Sequence, residues 1–204
     1  MTMDAMACLL SRQSTPPALL TEPAPDAAAL DEVLGTATRA PDHAALRPWR
    51  FLLIRGAARE RLGEEFAAAQ RRRNPGIDAA DLAKARAKPL RAPLIIVVAA
   101  EITENHPKAP VVEQVVAAAA AGQNVLNALH AKGFGAILLT GTPAHDAGVK
   151  AALGLKAQDE IIGFIYTGSI SETAPVKSRP DVAAFVREWD GSAMAAAGGE
   201  SSGG

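Results

Sequence analysis

Three arginines, an aspartate and a histidine crowd around two prolines where Arg39-Ala-Pro-Asp-His43 runs on into Arg47-Pro48-Trp49-Arg50-Phe51. Guanidinium and imidazole groups at this spacing can hold an anion or donate hydrogen bonds to a bound polar group. Proline fixes φ, removes a donor and biases the residue before it away from helix, so this stretch reads as a rigid polar elbow. Polar side chains on a stiff loop are often functional. A second reading stands beside that one: Arg39 closes a helix, and a helix C-terminus favours cations through its dipole alone. Near the N-terminus, Arg12 and Ser14 in Arg12-Gln13-Ser14 could clamp a phosphate with one charge-assisted bond and one hydroxyl. The alternative is an ordinary surface arginine. His43 reads as a donor to cofactor or substrate rather than as a general base.

The elements that would position these groups follow from periodicity and punctuation. Met3–Leu10 reads as a short helix, and a second helix starts at Asp26 as N-cap, with Leu30, Val33, Leu34 and Ala37 on one face. Phe51–Arg55 reads as a strand, Ala57–Arg73 as a polar helix broken at Asn74-Pro75-Gly76, and Asp78–Lys88 as a helix closed by Pro89. Leu94–Ala100 is a continuous apolar, largely β-branched run, the pattern of a central strand covered on both faces. Val111–Lys132 is the longest helix, stopped by Gly133; its alanines and Gly122 suit close helix approach in a dimer core. Gly135–Thr140 reads as a strand, Thr142-Pro143 as the cap of a helix to Leu153, and Glu160–Thr167 as the last core strand. Over 181–189, Val182, Phe185, Val186 and Trp189 fit a helical stripe or an extended arm.

Composition narrows the function classes. Lysine and arginine (21) nearly cancel aspartate and glutamate (22), so the balance points to neither nucleic acid nor a membrane surface. The apolar fraction is 49% but only 4% is aromatic, which suits closely packed alanine-rich helices. A single cysteine, Cys8, allows no internal disulfide and fits a reducing, cytoplasmic setting; no secretory signal is expected, and no apolar run spans a bilayer. Gly133-Phe134-Gly135 precedes a strand rather than a helix, which disfavours a Rossmann or P-loop site. His106, His130 and His145 lack ligand spacing, so no metal site is expected. One domain over 1–190 is expected, followed by a disordered Gly/Ser/Ala-rich tail over 191–204.

The elbow, together with Arg12-Gln13-Ser14, Glu113-Gln114 and Lys132-Gly133-Phe134-Gly135-Ala136 leading into Ile137-Leu138-Leu139-Thr140-Gly141, resembles the short single-domain flavin nitroreductases, in particular the YdjA-type subgroup. The resemblance runs from about residue 3 to about 189. It implies an α+β nitroreductase-like fold, with a central mixed or antiparallel sheet flanked by helices in an interlocked homodimer. FMN would lie at the subunit interface, with the C-terminal arm laid across the partner. It implies that Arg12, Gln13 and Ser14 hold the FMN phosphate and the polar edge of the ring, and that Arg39 and His43 reach the flavin of the other subunit. Leu138, Leu139 and Thr140 match the strand end against the isoalloxazine, where the subgroup often has a bulkier aromatic and a basic residue. Gln13 stands where the family carries a second arginine, and the Thr15-Pro16 stretch replaces another; Arg179 is a candidate to restore the missing charge. The implied activity passes a hydride from NAD(P)H through the flavin to nitroaromatic, quinone or similar small-molecule acceptors by a ping-pong mechanism, with no residue acting as a protein catalyst. A flavin store or redox-responsive interaction protein without turnover is the competing reading, motivated by those lost cations.

Overall fold

The seven residues of β3, Leu94–Ala100, are all buried, as a strand covered on both faces must be. In this computed structural model, which describes residues 4–189 and Gly191, β3 lies between β2 (Trp49–Arg55) and β5 (Glu160–Ile170). The other edge of β5 pairs with β4 (Gly135–Leu139), and its last residues pair with a two-residue β1 (Leu20–Thr21). Every pairing is antiparallel, so of the mixed or antiparallel expectation the second holds. The architecture is α+β. Opposite Val98 and Ala99, β5 carries an extra residue, Ile162, so that Ile161 and Ile162 pack into different clusters on the two faces.

One face of the sheet is covered by α2 (Ala27–Ala37) and α5 (Val111–Ala131), which pack Leu30, Val33, Val125 and Leu129 against Ile96, Val98 and Ile165. The other is covered by α3 (Ala58–Arg73) and α6 (Ala147–Ala152), with Leu62, Phe66 and Val149 against Ile95, Val97 and Phe164. Each such fully buried side chain contributes roughly 1.5–3 kcal/mol, which makes the two clusters the main source of stability. α4 (Ala79–Ala87) packs on α3, and α1 (Ala5–Ser11) on the C-terminal half of α5.

Helix starts follow the sequence closely because their caps are explicit: Asp4, Asp26 and Asp78 each accept a backbone N–H at the first turn. Two expectations need correction, and one open alternative is narrowed. Gly122 faces the sheet, where an added Cβ would lie 3.3 Å from Val98, so it serves approach of α5 to its own strand rather than a dimer core. The helix expected from Thr142-Pro143 to Leu153 is a 3-10 turn over Thr142–His145 followed by α6, because Asp146 caps the latter by accepting from Val149 N–H at 3.0 Å. The stretch 181–189 forms one 3-10 turn, Val182–Phe185, and no α-helix. Apart from Gly191, the tail expected to be disordered lies outside the described residues. Among those described, no helix is long and apolar enough to cross a membrane.

Candidate functional site

The edge strand β4 ends at a corner open on one side. Thr15 N–H donates to Ala136 C=O at 3.0 Å, and beyond that point no described strand pairs with the outer edge of β4. Backbone donors and acceptors there are left for a ligand. Alternation along the strand divides the two leucines expected to cover one ring. Leu138 is 37% exposed on the face of α2 and α5, whereas Leu139 packs into the cluster under α3 and α6. They cannot both cover the same face of a flat ring. Thr140 is exposed, and Gly141 turns the chain at φ +96°, a conformation that favours glycine; a Cβ at Gly141 would meet nothing within 4 Å, so the space above it is open.

A cavity of about 310 Å³ lies against this turn, lined by Leu139, Thr140, Gly141, Lys88, Arg91 and Tyr166 among others. Lys88 and Arg91 come from the 3-10 turn Lys88–Arg91 that follows α4. The Arg91 guanidinium stands 5.7 Å from the Tyr166 ring centroid, a cation–π contact, and burial pushes the Tyr166 hydroxyl above its ordinary value. Sequence reading missed both cations. Cations after a helix closed by proline look like ordinary complements of a helix dipole, and only the tertiary fold brings them to Thr140.

The N-terminal clamp gains its second cation from far along the chain. Arg179 Nη2 donates to Arg12 C=O at 2.8 Å, and Gln13 Nε2 donates to Ala174 C=O at 3.2 Å, so the segment after β5 lies across Arg12-Gln13-Ser14. Arg179 is thereby held at the Arg12 backbone, while the Gln13 amide is engaged by the chain itself. His130 at the end of α5 shares a 3.0 Å hydrogen bond with Ser11. Burial and then the nearby charge of Arg12 hold its ring below the ordinary histidine value.

The elbow is built differently. Asp42 accepts Arg47 N–H at 2.6 Å, and Ala44, Ala45 and Arg47 take φ of 63°, 54° and 50°. Left-handed backbone at non-glycine residues costs of order 1 kcal/mol or more each, strain that persists only where the surroundings hold it. His43 Nδ1 meets Glu113 Oε2 at 2.5 Å, on the first turn of α5. Arg39 instead borders a groove of about 440 Å³ with Cys8, Leu9, Asn124, Asn127 and Ala131. The structure thus sends Arg39 and His43 to different parts of α5. Seventeen residues separate Glu113 from His130, about 25 Å along a helix rising 1.5 Å per residue. Within one protomer His43 cannot reach the Arg12 clamp.

The sequence model of the nitroreductase family matches residues 9–169. YdjA of Escherichia coli (strain K12), provisionally named an NAD(P)H nitroreductase, is 39% identical over 188 residues, 90% of this chain and 98% of its own. A nitroreductase-like protein from Bacillus cereus superposes with a TM-score of 0.76 at 21% identity, covering 94% of this chain and 98% of that one. A protein from Desulfovibrio desulfuricans, provisionally named a nitroreductase and crystallised in complex with FMN, superposes with a TM-score of 0.67 at 24% identity over 92% of this chain and 98% of its own.

Proposed function

We propose a function from the premise that this chain belongs to the nitroreductase family: it is an FMN-dependent oxidoreductase that uses NAD(P)H to reduce small electron acceptors. The observation that carries the reading is the open edge of β4, with Thr140 and Gly141 beside the two cations Lys88 and Arg91. The residues fit FMN. Arg179, held on the Arg12 carbonyl, stands beside Arg12 and Ser14 as a candidate set for the phosphate, and the β4 edge offers backbone hydrogen bonds to a ring edge. Leu139, on the wall of the cavity at Gly141, offers apolar cover, with Leu138 on the opposite face of β4, and the Gln13 amide anchors the N-terminal segment to Ala174. When bound, FMN supplies the redox chemistry, accepting a hydride from NAD(P)H and passing electrons to an acceptor. Lys88 and Arg91 would favour the reduced cofactor, because a cation near the pyrimidine edge stabilises the negative charge that develops there. The protein's contribution is orientation and electrostatics.

The working unit in this reading is a homodimer. Met6, Leu9 and Leu10 on α1, Val112 and Val116 on α5, and Phe185 and Val186 beyond β5 are large apolar side chains 52–74% exposed on one protomer. Large apolar side chains exposed in this number on one protomer support an interface. The distance from His43 to Arg12 supports His43 serving the partner's flavin, with the segment after residue 180 lying on the partner. Nitroaromatics and quinones suit an apolar pocket that discriminates weakly between acceptors. A cytoplasmic setting accords with the single buried thiol, Cys8.

Purified protein tests this directly. Chromatography of the chromophore released on denaturation is expected to yield FMN, and NADPH or NADH is expected to bleach its absorption in the holoprotein. Recovery of FAD, or of no flavin after reconstitution, overturns the reading. Bound FMN that neither nucleotide reduces favours a flavin store, a reading to which the engagement of Gln13 by Ala174 lends support.

A further inference from the structure

Gly141 walls two cavities. Beyond the one that holds Lys88 and Arg91 lies a larger basin of about 540 Å³, lined by Arg72, Arg73, Gly141, Thr142, His145 and Asp146. Its two arginines end α3 and behave differently. Arg72 is spent: Nε and Nη2 both donate to the Asp146 carboxylate, the former at 3.0 Å, and the guanidinium lies on the backbone at Gly148, where a Cβ would collide with it. Asp146 caps α6 at the same time. This fork is a closed, nearly neutral wall.

Arg73 carries the charge that remains. Its Nη1 donates to Thr142 Oγ1 at 2.7 Å, a neutral hydroxyl, and no carboxylate pairs with it among the described residues. A guanidinium has five N–H donors, so most are unspent. A cation in the last turn of α3 would suit the helix dipole in any direction. Tethering to Thr142, on a separate element, instead fixes Arg73 over the basin, with exposed His145 beside it. The basin is cationic, with one unpaired arginine, and it adjoins the turn that ends β4.

We propose that this basin binds a phosphate group of the nicotinamide dinucleotide, with Arg73 as its principal donor and Thr142 holding that side chain in place. The proposal rests on the reading of the Thr140–Gly141 corner as the flavin site. Arg73 hydrogen-bonds a residue two positions past Thr140, within about 10 Å of it on the dimensions of the chain. A dinucleotide whose nicotinamide lies on the flavin spans that distance. The phosphate could be the pyrophosphate, common to NADH and NADPH, or the 2′-phosphate of NADPH alone.

Anaerobic stopped-flow reduction of the holoprotein by NADPH, NADH and 1-benzyl-1,4-dihydronicotinamide, which has no phosphate, separates these cases. R73A is expected to raise the apparent Kd for the dinucleotide roughly tenfold, the loss of one charge-assisted contact, with reduction by the benzyl compound unchanged. R73K, which keeps the charge without the fork, is expected to fall between. A loss with both dinucleotides assigns the pyrophosphate, and a loss with NADPH alone assigns the 2′-phosphate. Calorimetric titration of pyrophosphate and of 2′,5′-ADP gives the same comparison without turnover. Equal Kd values in wild type and R73A overturn the proposal, as does an equal loss with the benzyl compound, which would mean a disturbed corner. Wild-type holoprotein that none of the three reductants bleaches overturns the reductase reading in favour of a flavin store, and the basin with it.

Discussion

The elbow at 39–51 and the corner at the end of β4 hold the two sets of polar groups nearest a candidate flavin, and they are made in opposite ways. The elbow is local: prolines, an Asp42 turn and three strained residues hold its shape within thirteen positions, and its side chains are largely exposed. The corner is assembled from three separate segments around Lys88–Arg91, Gly141 and Tyr166, and nothing in the sequence joins the first to the other two. A local device can project groups away from its own protomer, as service to a partner requires. A composite one keeps its groups at a fixed distance from the strand that built it.

If the elbow works only across an interface, separating the protomers should have the largest effect. Val112→Asp with Val116→Asp places two charges on the exposed apolar stripe of α5, and the double variant is expected to be monomeric and to lose stoichiometric FMN. Light scattering with flavin quantitation checks this, and a monomer that retains FMN would break the comparison. Next in size is Gln114, 2% exposed, which accepts Thr103 N–H at 2.8 Å and donates to Thr103 and Ala109 C=O at 2.9 Å each. Gln114→Leu strands those backbone groups beside Glu113, the partner of His43, and should cost about 2–4 kcal/mol in urea unfolding. A cost under about 1 kcal/mol would mean that the elbow has no rigid backing.

Arg12→Ala is expected to weaken FMN binding by one to two decades, about 1–3 kcal/mol, with Arg39→Ala affecting turnover more than retention. Titration of both apo-variants measures it, and equal losses would erase the division between clamp and elbow. The smallest effect is in acid. The hydrogen bond from Arg72 holds the Asp146 carboxyl below its ordinary value of 3.8, and that from Lys156, then the charge of Arg50, holds Glu101 below 4.5. Each contributes stability present above the unfolded-state value and lost as pH falls through the lower folded-state value. Asp146, whose side chain is 13% exposed against 31% for Glu101, should dominate. Asp146→Asn is therefore expected to flatten the fall in Tm below about pH 4 more than Glu101→Gln does. The reverse order would place the acid-sensitive contact at the elbow side.

What was legible in the sequence follows the range of the interactions involved. Caps at Asp26 and Asp78, the stop at Gly133 and the apolar run Leu94–Ala100 are local or one-dimensional signals, and the elements they announce are present almost to the residue. β1 escaped because two residues carry no periodicity; it exists through pairing with the end of β5. The helix expected after Thr142 was displaced because Asp146 is held by Arg72, 74 positions away, and caps from there.

The chain by itself determined its family, its alternation of helices and strands, the stiffness of the elbow and the chemical types of its candidate ligands. The tertiary structure decided which of those groups meet. Strand alternation put Leu138 and Leu139 on opposite faces, and the segment after β5 brought Arg179 to Arg12 across 167 positions. The fold of α3 and α4 carried Arg73, Lys88 and Arg91 to the turn at Gly141. Such meetings depend on packing between segments distant in sequence, and in one chain each of these residues reads as an ordinary surface cation.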